Sequence, residues 1–331
     1  MEETAKTIFE NHASGFEVKV LETFSLQYRG NPVYRNFVDN LPALSRKVKR
    51  IADIPFLPVS LFKSHFVVTG VFEPEAVFES SGTTGAVTSR HAVRSLELYR
   101  ESFTRCFRNF YGNPSEWCII GLLPSYLERG NSSLVFMVDE LIRLSGHRES
   151  GFLLYQYPEL HAQLLRMEAL SQKTLLIGVG FALLDFAELF PMKLNYTTIM
   201  ETGGMKGRRE EITRNQLHSQ LIEQLGVGQI HSEYGMTELL SQAYSKGGGL
   251  FHCPPWMKVI LRAEDDPFSF TDSQGQPLKE GVINIIDLAN RHSCAFIATD
   301  DLGRMHEDGS FEVLGRLDNS DIRGCSLLLS I

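Results

Sequence analysis

The spacing of apolar positions changes along the chain. Through the first fifty residues they recur at helical intervals, which predicts a mostly helical opening that ends in the proline-punctuated stretch IPFLPVSLFKSH at 54–65. Beyond it, short apolar runs alternate with amphipathic segments. Strands are expected at 65–70, 76–80, 116–125, 151–157, 173–180 and 196–204, and helices over 88–110, 131–146, 158–172 and 209–226. Asn131 or Ser132 would cap the second of these helices, and Gly226 would stop the last. The run TLLIGVGFALLDFAELF at 174–190 reads as a buried strand and turn, and a strand running into a loop is expected over 228–238. After residue 245 the pattern becomes short strands at 256–265, 281–288, 294–301 and 310–316. Alternating β and α elements imply an α/β fold with a mostly parallel sheet flanked by helices, and the closing section implies a smaller β-rich subdomain. The expected organisation is a single domain over 1–331, with a helical segment at 1–50, an α/β core at 51–245 and the β-rich part at 246–331.

Charge narrows the function classes. A net charge of −8 argues against a nucleic-acid surface, which needs a basic stripe. The basic stretch RKVKR at 46–50 reads as a solvated face. The opening MEETAKTIFENH is acidic and precedes no apolar core of a signal peptide. No apolar run approaches a membrane span, because Asp185 and Glu188 interrupt the nearest candidate. The five cysteines, Cys106, Cys118, Cys253, Cys294 and Cys325, are scattered without metal-ligand or CxxC spacing. That usage predicts a reduced, cytoplasmic location in which a special cysteine is a nucleophile.

Three stretches have candidate chemistry. Ser80, Ser81, Gly82, Thr83, Thr84 and Gly85 put four hydroxyls and two glycines between an apolar run and a helical pattern. Hydroxyl donors and closely approaching backbone N–H groups suit a polyphosphate, although no lysine follows at P-loop spacing. In HSEYGMTELL at 231–240, Tyr234 can offer an aromatic face to a base, Thr237 a hydroxyl, and Glu238 a hard oxygen ligand for Mg²⁺. In TDDLGRMHEDGSFEVLGRLD, Asp300 and Asp301 are expected before a turn, where a carboxylate can accept from both ribose hydroxyls, and Arg316 can meet a phosphate. The bland readings are a glycine-rich turn, a capped loop and an acidic hairpin.

The order SSGTTG, YGMTE, TDDLGR and GRLD resembles the signature of the adenylate-forming superfamily of acyl-CoA synthetases, phenylacetate-CoA ligases and adenylation domains. RIADIPFLPVSLFKSH, GNSSLVFMVDELI, TGGMKGRREEITR and RGCSLLLS further resemble the acyl-protein synthetases of the LuxE type. The resemblance implies the fold of the large N-terminal domain of adenylating enzymes. It also implies ATP and Mg²⁺ as cofactors, activation of a carboxylic, and in this family a fatty, acid, transfer to an enzyme cysteine, and delivery to an acyl reductase partner. Residue by residue, it puts the 80–85 loop on pyrophosphate, Glu238 on Mg²⁺ and Asp301 on the ribose. Arg316 falls at the phosphate or hinge, Thr202, Gly203 and Gly204 beside adenine with Tyr234, Gly235 and Thr237, and Cys325 as acyl carrier. Two departures stand out. Asp300 replaces the usual glycine before the ribose aspartate, and the small C-terminal lid domain with its lysine is expected to be missing. Arg90, Lys206 and Arg208 are the candidates to replace that lysine.

Two other functions stay open: a free-standing ligase passing acyl groups to coenzyme A or a carrier-protein thiol, and an idle nucleotide-binding subunit. His231, His252 and His292 read as satisfied or surface histidines, Trp256 as core, Cys253 as a core or turn thiol, and Cys106 and Cys118 as inert core residues. Ser132 and Ser133 read as helix caps or, secondarily, as lining for an acyl channel.

Overall fold

The computed structural model describes residues 8–9, 15–41, 48–80, 87–123, 131–203 and 212–317. The helical opening appears as α1 (Phe16–Gly30) and α2 (Pro32–Asp39). The break between them is local chemistry: the Asn31 side chain accepts from the Tyr34 amide, and Pro32 takes the first helical position, where no N–H is needed. Next come β1 (Leu57–Pro58), the single turn α3 (Leu61–Ser64), and a hairpin of β2 (Ala76–Glu79) and β3 (Arg90–Val93). Residues 65–70 form no strand, contrary to expectation. The helix expected over 88–110 begins only at Leu96, as α4 (Leu96–Tyr111). Its first residues are instead drawn into β3, where Glu79 faces Arg90 and Ala76 faces Val93. Ser95 then supplies the start, its hydroxyl accepting from the Leu98 amide at 3.3 Å.

The middle of the chain alternates as its periodicity predicts: β4 (Cys118–Leu122), α5 (Ser133–Ser145), β5 (Gly151–Phe152), α6 (Tyr157–Ala169), β6 (Thr174–Gly178), α7 (Gly180–Leu189), β7 (Thr197–Thr202), α8 (Arg214–Leu225) and β8 (His231–Tyr234). Ser132 is the N-cap of α5, accepting from Val135. Gly146 and Gly226 close α5 and α8 at φ 62° and 60°, a conformation that glycine adopts at little cost. The expected strand and turn over 174–190 is a strand followed by a helix. α7 is buried nearly all round, from Phe181 to Ala187, so its apolar run carries no amphipathic period to distinguish the two states. The chain continues through the short β9 (Ala243–Ser245) and β10 (Phe251–His252), which the sequence reading passed over, to β11 (Met257–Arg262), β12 (Glu280–Asp287), β13 (Phe296–Met305) and β14 (Phe311–Arg316).

These elements fall into two compact units. The first comprises Met1–Phe103, Gly235–Gln242 and Cys253–Val313; the second comprises Thr104–Tyr234, Ala243–His252 and Leu314–Ile331. In the second unit, β5, β4, β6, β7 and β8 are parallel neighbours in that order, and β9 joins β8 antiparallel with β10 beyond it. β4 and β6 are buried along their whole length, as parallel strands covered on both faces must be.

In the first unit, β11, β12 and β13 are antiparallel neighbours, and β1 runs parallel to β13 with Leu57 opposite Ile297. Its aromatic core stacks Tyr34 on Phe296 at 6.0 Å, with Phe24 and Phe56 edge-on to Phe296. Gln27, wholly buried, donates to the carbonyls of Asn290 and Arg291 and accepts from the Ala295 amide, which fastens α1 to the turn before β13. A buried amide is tolerated only with such partners.

Candidate functional site

The glycine and hydroxyl loop sits between the strands of the β2–β3 hairpin. Ser80 and Ser89 close its base: the Ser80 amide donates to the Ser89 carbonyl at 3.0 Å, and the Ser89 amide donates to the Ser80 hydroxyl at 2.9 Å. Ser81, Gly82, Thr83, Thr84 and Gly85 lie outside the described residues. Arg90 is exposed on β3, while His91 beside it is buried. The ring of His91 donates from Nδ1 to the Thr237 carbonyl at 2.8 Å. Burial lowers its pKa to about 4, so the ring is neutral and Nε2 is unprotonated. Nε2 finds no hydrogen-bond partner among the described residues.

The segment after Tyr234 belongs to the same unit as the hairpin and is fixed mainly through its backbone. Asn290 donates from Nδ2 to the Glu238 carbonyl at 2.6 Å. Asp287 accepts from the Leu240 and Ser241 amides at 2.9 and 3.0 Å and from the Ser241 hydroxyl at 2.6 Å. Trp256, a core residue as expected, donates from Nε1 to the same hydroxyl at 2.9 Å. Gly235 is exposed, Thr237 half-buried, and Glu238 only 4% exposed. The sequence reading singled out Glu238 but none of its holders. His91, Asp287 and Asn290 are remote in sequence from residue 238, and no motif flags them.

Asp300 and Asp301 correct an expectation. They do not precede a turn but lie inside β13, where strand alternation sends them to opposite faces. Asp301 is buried and Asp300 half-exposed. Beneath them Arg262 donates to the Thr299 carbonyl at 3.0 Å, and the Thr299 hydroxyl accepts from the Asp301 amide at 3.1 Å.

In the second unit, Thr202 and Tyr234 end the neighbouring strands β7 and β8. The C-terminal edge of a parallel sheet is where such folds bind ligands. Gly203 turns the chain at φ 67°, and Gly204, Lys206 and Arg208 lie outside the described residues. The Tyr234 ring lies 5.9 Å from Phe251. The Thr202 hydroxyl donates to Glu233 Oε2 at 2.5 Å. Burial, against that hydrogen bond and with help from the Glu201 charge, raises the Glu233 pKa to about 7. Glu233 is thus a titratable group at the C-terminal edge of the parallel sheet that the sequence reading missed; its only signal was adjacency to Tyr234. Arg316 ends β14, half-buried.

The remaining candidates are structural. His231 packs against Tyr111, its Nδ1 3.1 Å from the tyrosine hydroxyl, and burial lowers its pKa to about 4. His292 meets the Phe72 ring edge-on, and His252 is exposed. No cluster of metal-ligating side chains occurs among the described residues. No helix among them is long and apolar enough to cross a membrane. Cys106, Cys118 and Cys294 are buried, and burial raises Cys118 to about 11 and Cys253 and Cys294 to about 12. These three stay as thiols near neutral pH, poor nucleophiles. Cys325 lies outside the described residues.

Residues 172–331 match the family model of the acyl-protein synthetase LuxE, which bears out the resemblance over that part of the chain. A search of curated proteins finds no match. Among solved structures, ATP-bound MatB from Rhodopseudomonas palustris is similar with a TM-score of 0.51 at 17% identity, over 73% of this chain and 48% of that one. An ATP-bound RpMatB-BxBclM chimera is similar with a TM-score of 0.50 at 16% identity, over 73% of this chain and 47% of that one. The fold is that of the large N-terminal domain of adenylate-forming enzymes, and the chain spans about half the length of these structures.

Proposed function

We propose that this chain activates a carboxylic acid with ATP and passes the acyl group to its own Cys325. The substrate carboxylate attacks the α-phosphorus and pyrophosphate leaves; the cysteine sulfur then attacks the acyl carbonyl and AMP leaves, giving a thioester. The observation that carries this reading is the acyl-protein synthetase match over 172–331, a stretch that contains Glu238, Asp301, Arg316 and Cys325. The state of the described cysteines supports it. Cys118, Cys253 and Cys294 are held as thiols and Cys106 is wholly buried, so none of them suits acyl transfer.

The residues present fit a magnesium ion. Mg²⁺ is commonly held through one or two carboxylates together with substrate phosphates, so a single buried glutamate on a fixed segment suffices, and Glu238 is that residue. When bound, the ion supplies charge neutralisation at the phosphates. The chain's own groups do the rest in this reading. Ser80 and the loop to Gly85 cradle pyrophosphate, while Asp301 takes the ribose hydroxyls. Thr202, Gly203 and Gly204 border the adenine with Tyr234, Gly235 and Thr237, and Arg316 meets a phosphate. The acid is a fatty acid and the acceptor an acyl reductase, both carried over from the family.

The test incubates the protein with ATP, Mg²⁺ and a labelled fatty acid, and looks for hydroxylamine-sensitive label on the protein. Cys325→Ser should still release pyrophosphate but carry no label. Label persisting on that variant, or appearing only on added coenzyme A, would overturn the cysteine-transfer reading.

A further inference from the structure

We propose that His91 is a positioning residue that ties Glu238 to the β2–β3 hairpin and so sets it relative to Ser80 at the hairpin's end. The inference rests on the reading above, in which the loop holds phosphates and Glu238 holds magnesium. The two lie 153 to 158 residues apart in sequence, yet both must address one nucleotide within a fraction of an ångström. The Ser80–Ser89 pair closes the loop, and His91 follows two residues later on β3, opposite Phe78.

From there the imidazole donates to the Thr237 carbonyl, the peptide oxygen immediately before Glu238, at 2.8 Å. Asn290 pins the next carbonyl, and Asp287 the amides beyond it. Asp287 ends β12 and Asn290 lies just beyond it. Of these three holders, His91 alone belongs to the hairpin that bears the loop.

The surroundings suit positioning over chemistry. The His91 ring meets Phe62 edge-on at 6.0 Å, which fixes its plane. The Nδ1 bond fixes the tautomer, and with a pKa of about 4 the donor is unchanged across the neutral range. The adjoining cavity, lined by His91, Leu98, Leu240, Asn290 and Ser293 among others, is about 10 Å³. That is room for one water and no substrate group. His91 therefore acts through Glu238.

Displacing a group near the reacting atoms by about 1 Å can cost on the order of 100-fold in rate. His91→Phe keeps a ring but loses the donor, and His91→Gln puts its amide where Nε2 was. Both should lower kcat for acid-dependent pyrophosphate release at least about ten-fold and raise the half-saturating Mg²⁺ concentration, with KM for the acid little changed. His91→Asn places an amide N–H at the Nδ1 position and should recover most of both. Independently of activity, amide hydrogen exchange across residues 235–241 of nucleotide-free protein should quicken in the Phe and Gln variants and stay near the parent in Asn. Parent-like Mg²⁺ dependence and exchange in a folded Phe or Gln variant would overturn the proposal. So would an Asn variant as impaired as they are. Glu238→Gln, measured alongside, separates the two levels. If it retains pyrophosphate release, the magnesium reading fails; if it loses release while His91→Gln keeps parent behaviour, only the positioning role fails.

Discussion

Each unit buries carboxylates, and each handles them differently. At the strand ends of the second unit, Glu201 faces Ser232 and Thr202 faces Glu233, so the two glutamates occupy adjacent positions pointing to opposite faces. Burial pushes the Glu201 carboxyl upward, but His218 at 3.6 Å and Arg214 at 3.4 Å outweigh it and hold the pKa below its ordinary value. Glu233, with the Thr202 hydroxyl as its hydrogen-bond partner among the described residues and its neighbour's charge nearby, rises to about 7. In the first unit Asp287 has no cation among its partners in the described residues. It accepts from the amides of Leu240, Ser241 and Ala289 and from the Ser241 hydroxyl, donors that pull back the upward push of burial. The contrast teaches that burial alone does not decide protonation. What decides it is whether the same fold delivers a cation, a set of N–H donors, or neither.

The comparison breaks most severely at Asp287. Asp287→Ala strands three amides and a hydroxyl in the core, and should cost about 4 kcal/mol, at about 1–3 kcal/mol for each unsatisfied group with partial relaxation. A lower denaturant midpoint at unchanged slope would register it; a loss under 1 kcal/mol would mean that water replaces the carboxylate. Glu201→Gln removes the charge that compensates Arg214. Losing a buried partner costs about 3–5 kcal/mol, and because Arg214 is partly open to solvent the expectation is about 2–3 kcal/mol. The same variant should lower the Glu233 pKa, since one like charge is gone.

Glu233→Gln has the smallest effect, and its sign depends on pH. The raised folded pKa means that Glu233 contributes stability below its unfolded value near 4.5, and that this is lost as pH rises through about 7. Relative to the parent, the Gln variant should therefore gain melting temperature steadily from pH 5 to pH 8. A difference that is flat across that range would return Glu233 to an ordinary carboxylate. His91 and His231 run the other way. Each has a folded pKa lowered to about 4, and loses its contribution as pH falls from about 6.5 towards 4.

The sequence made the alternating middle legible because strand and helix periods differ and caps such as Ser132, Gly146 and Gly226 punctuate them. It failed where one pattern serves two states. The apolar run of α7 has no polar face to reveal a helix, and RHAV at 90–93 continues a helical spacing until pairing with β2 claims it. In the candidate site, Glu238 and Asp301 were visible as members of short motifs. His91, Asp287 and Asn290 were not, because a side chain that holds a backbone carbonyl or amide 46 to 146 residues away leaves no local pattern. Glu233 was invisible for a different reason: its raised pKa arises from burial and from the Glu201 charge, neither of which leaves a sequence motif.

The hydrogen bonds of Gln27 to Asn290, Arg291 and Ala295 span 263 to 268 residues of sequence, and they impose an order on biosynthesis. α1 and α2 are made more than 250 residues before the turn that completes their packing. At about 5–20 residues per second, that interval is on the order of tens of seconds. The continuous stretch Thr104–Tyr234 is finished within it and can fold while the ribosome is still working. α1 and α2 therefore dock later than the elements of that stretch. Until then, Val20, Tyr34 and Val38 have no finished core to enter, and the nascent chain presents an apolar surface of the kind that holding chaperones bind.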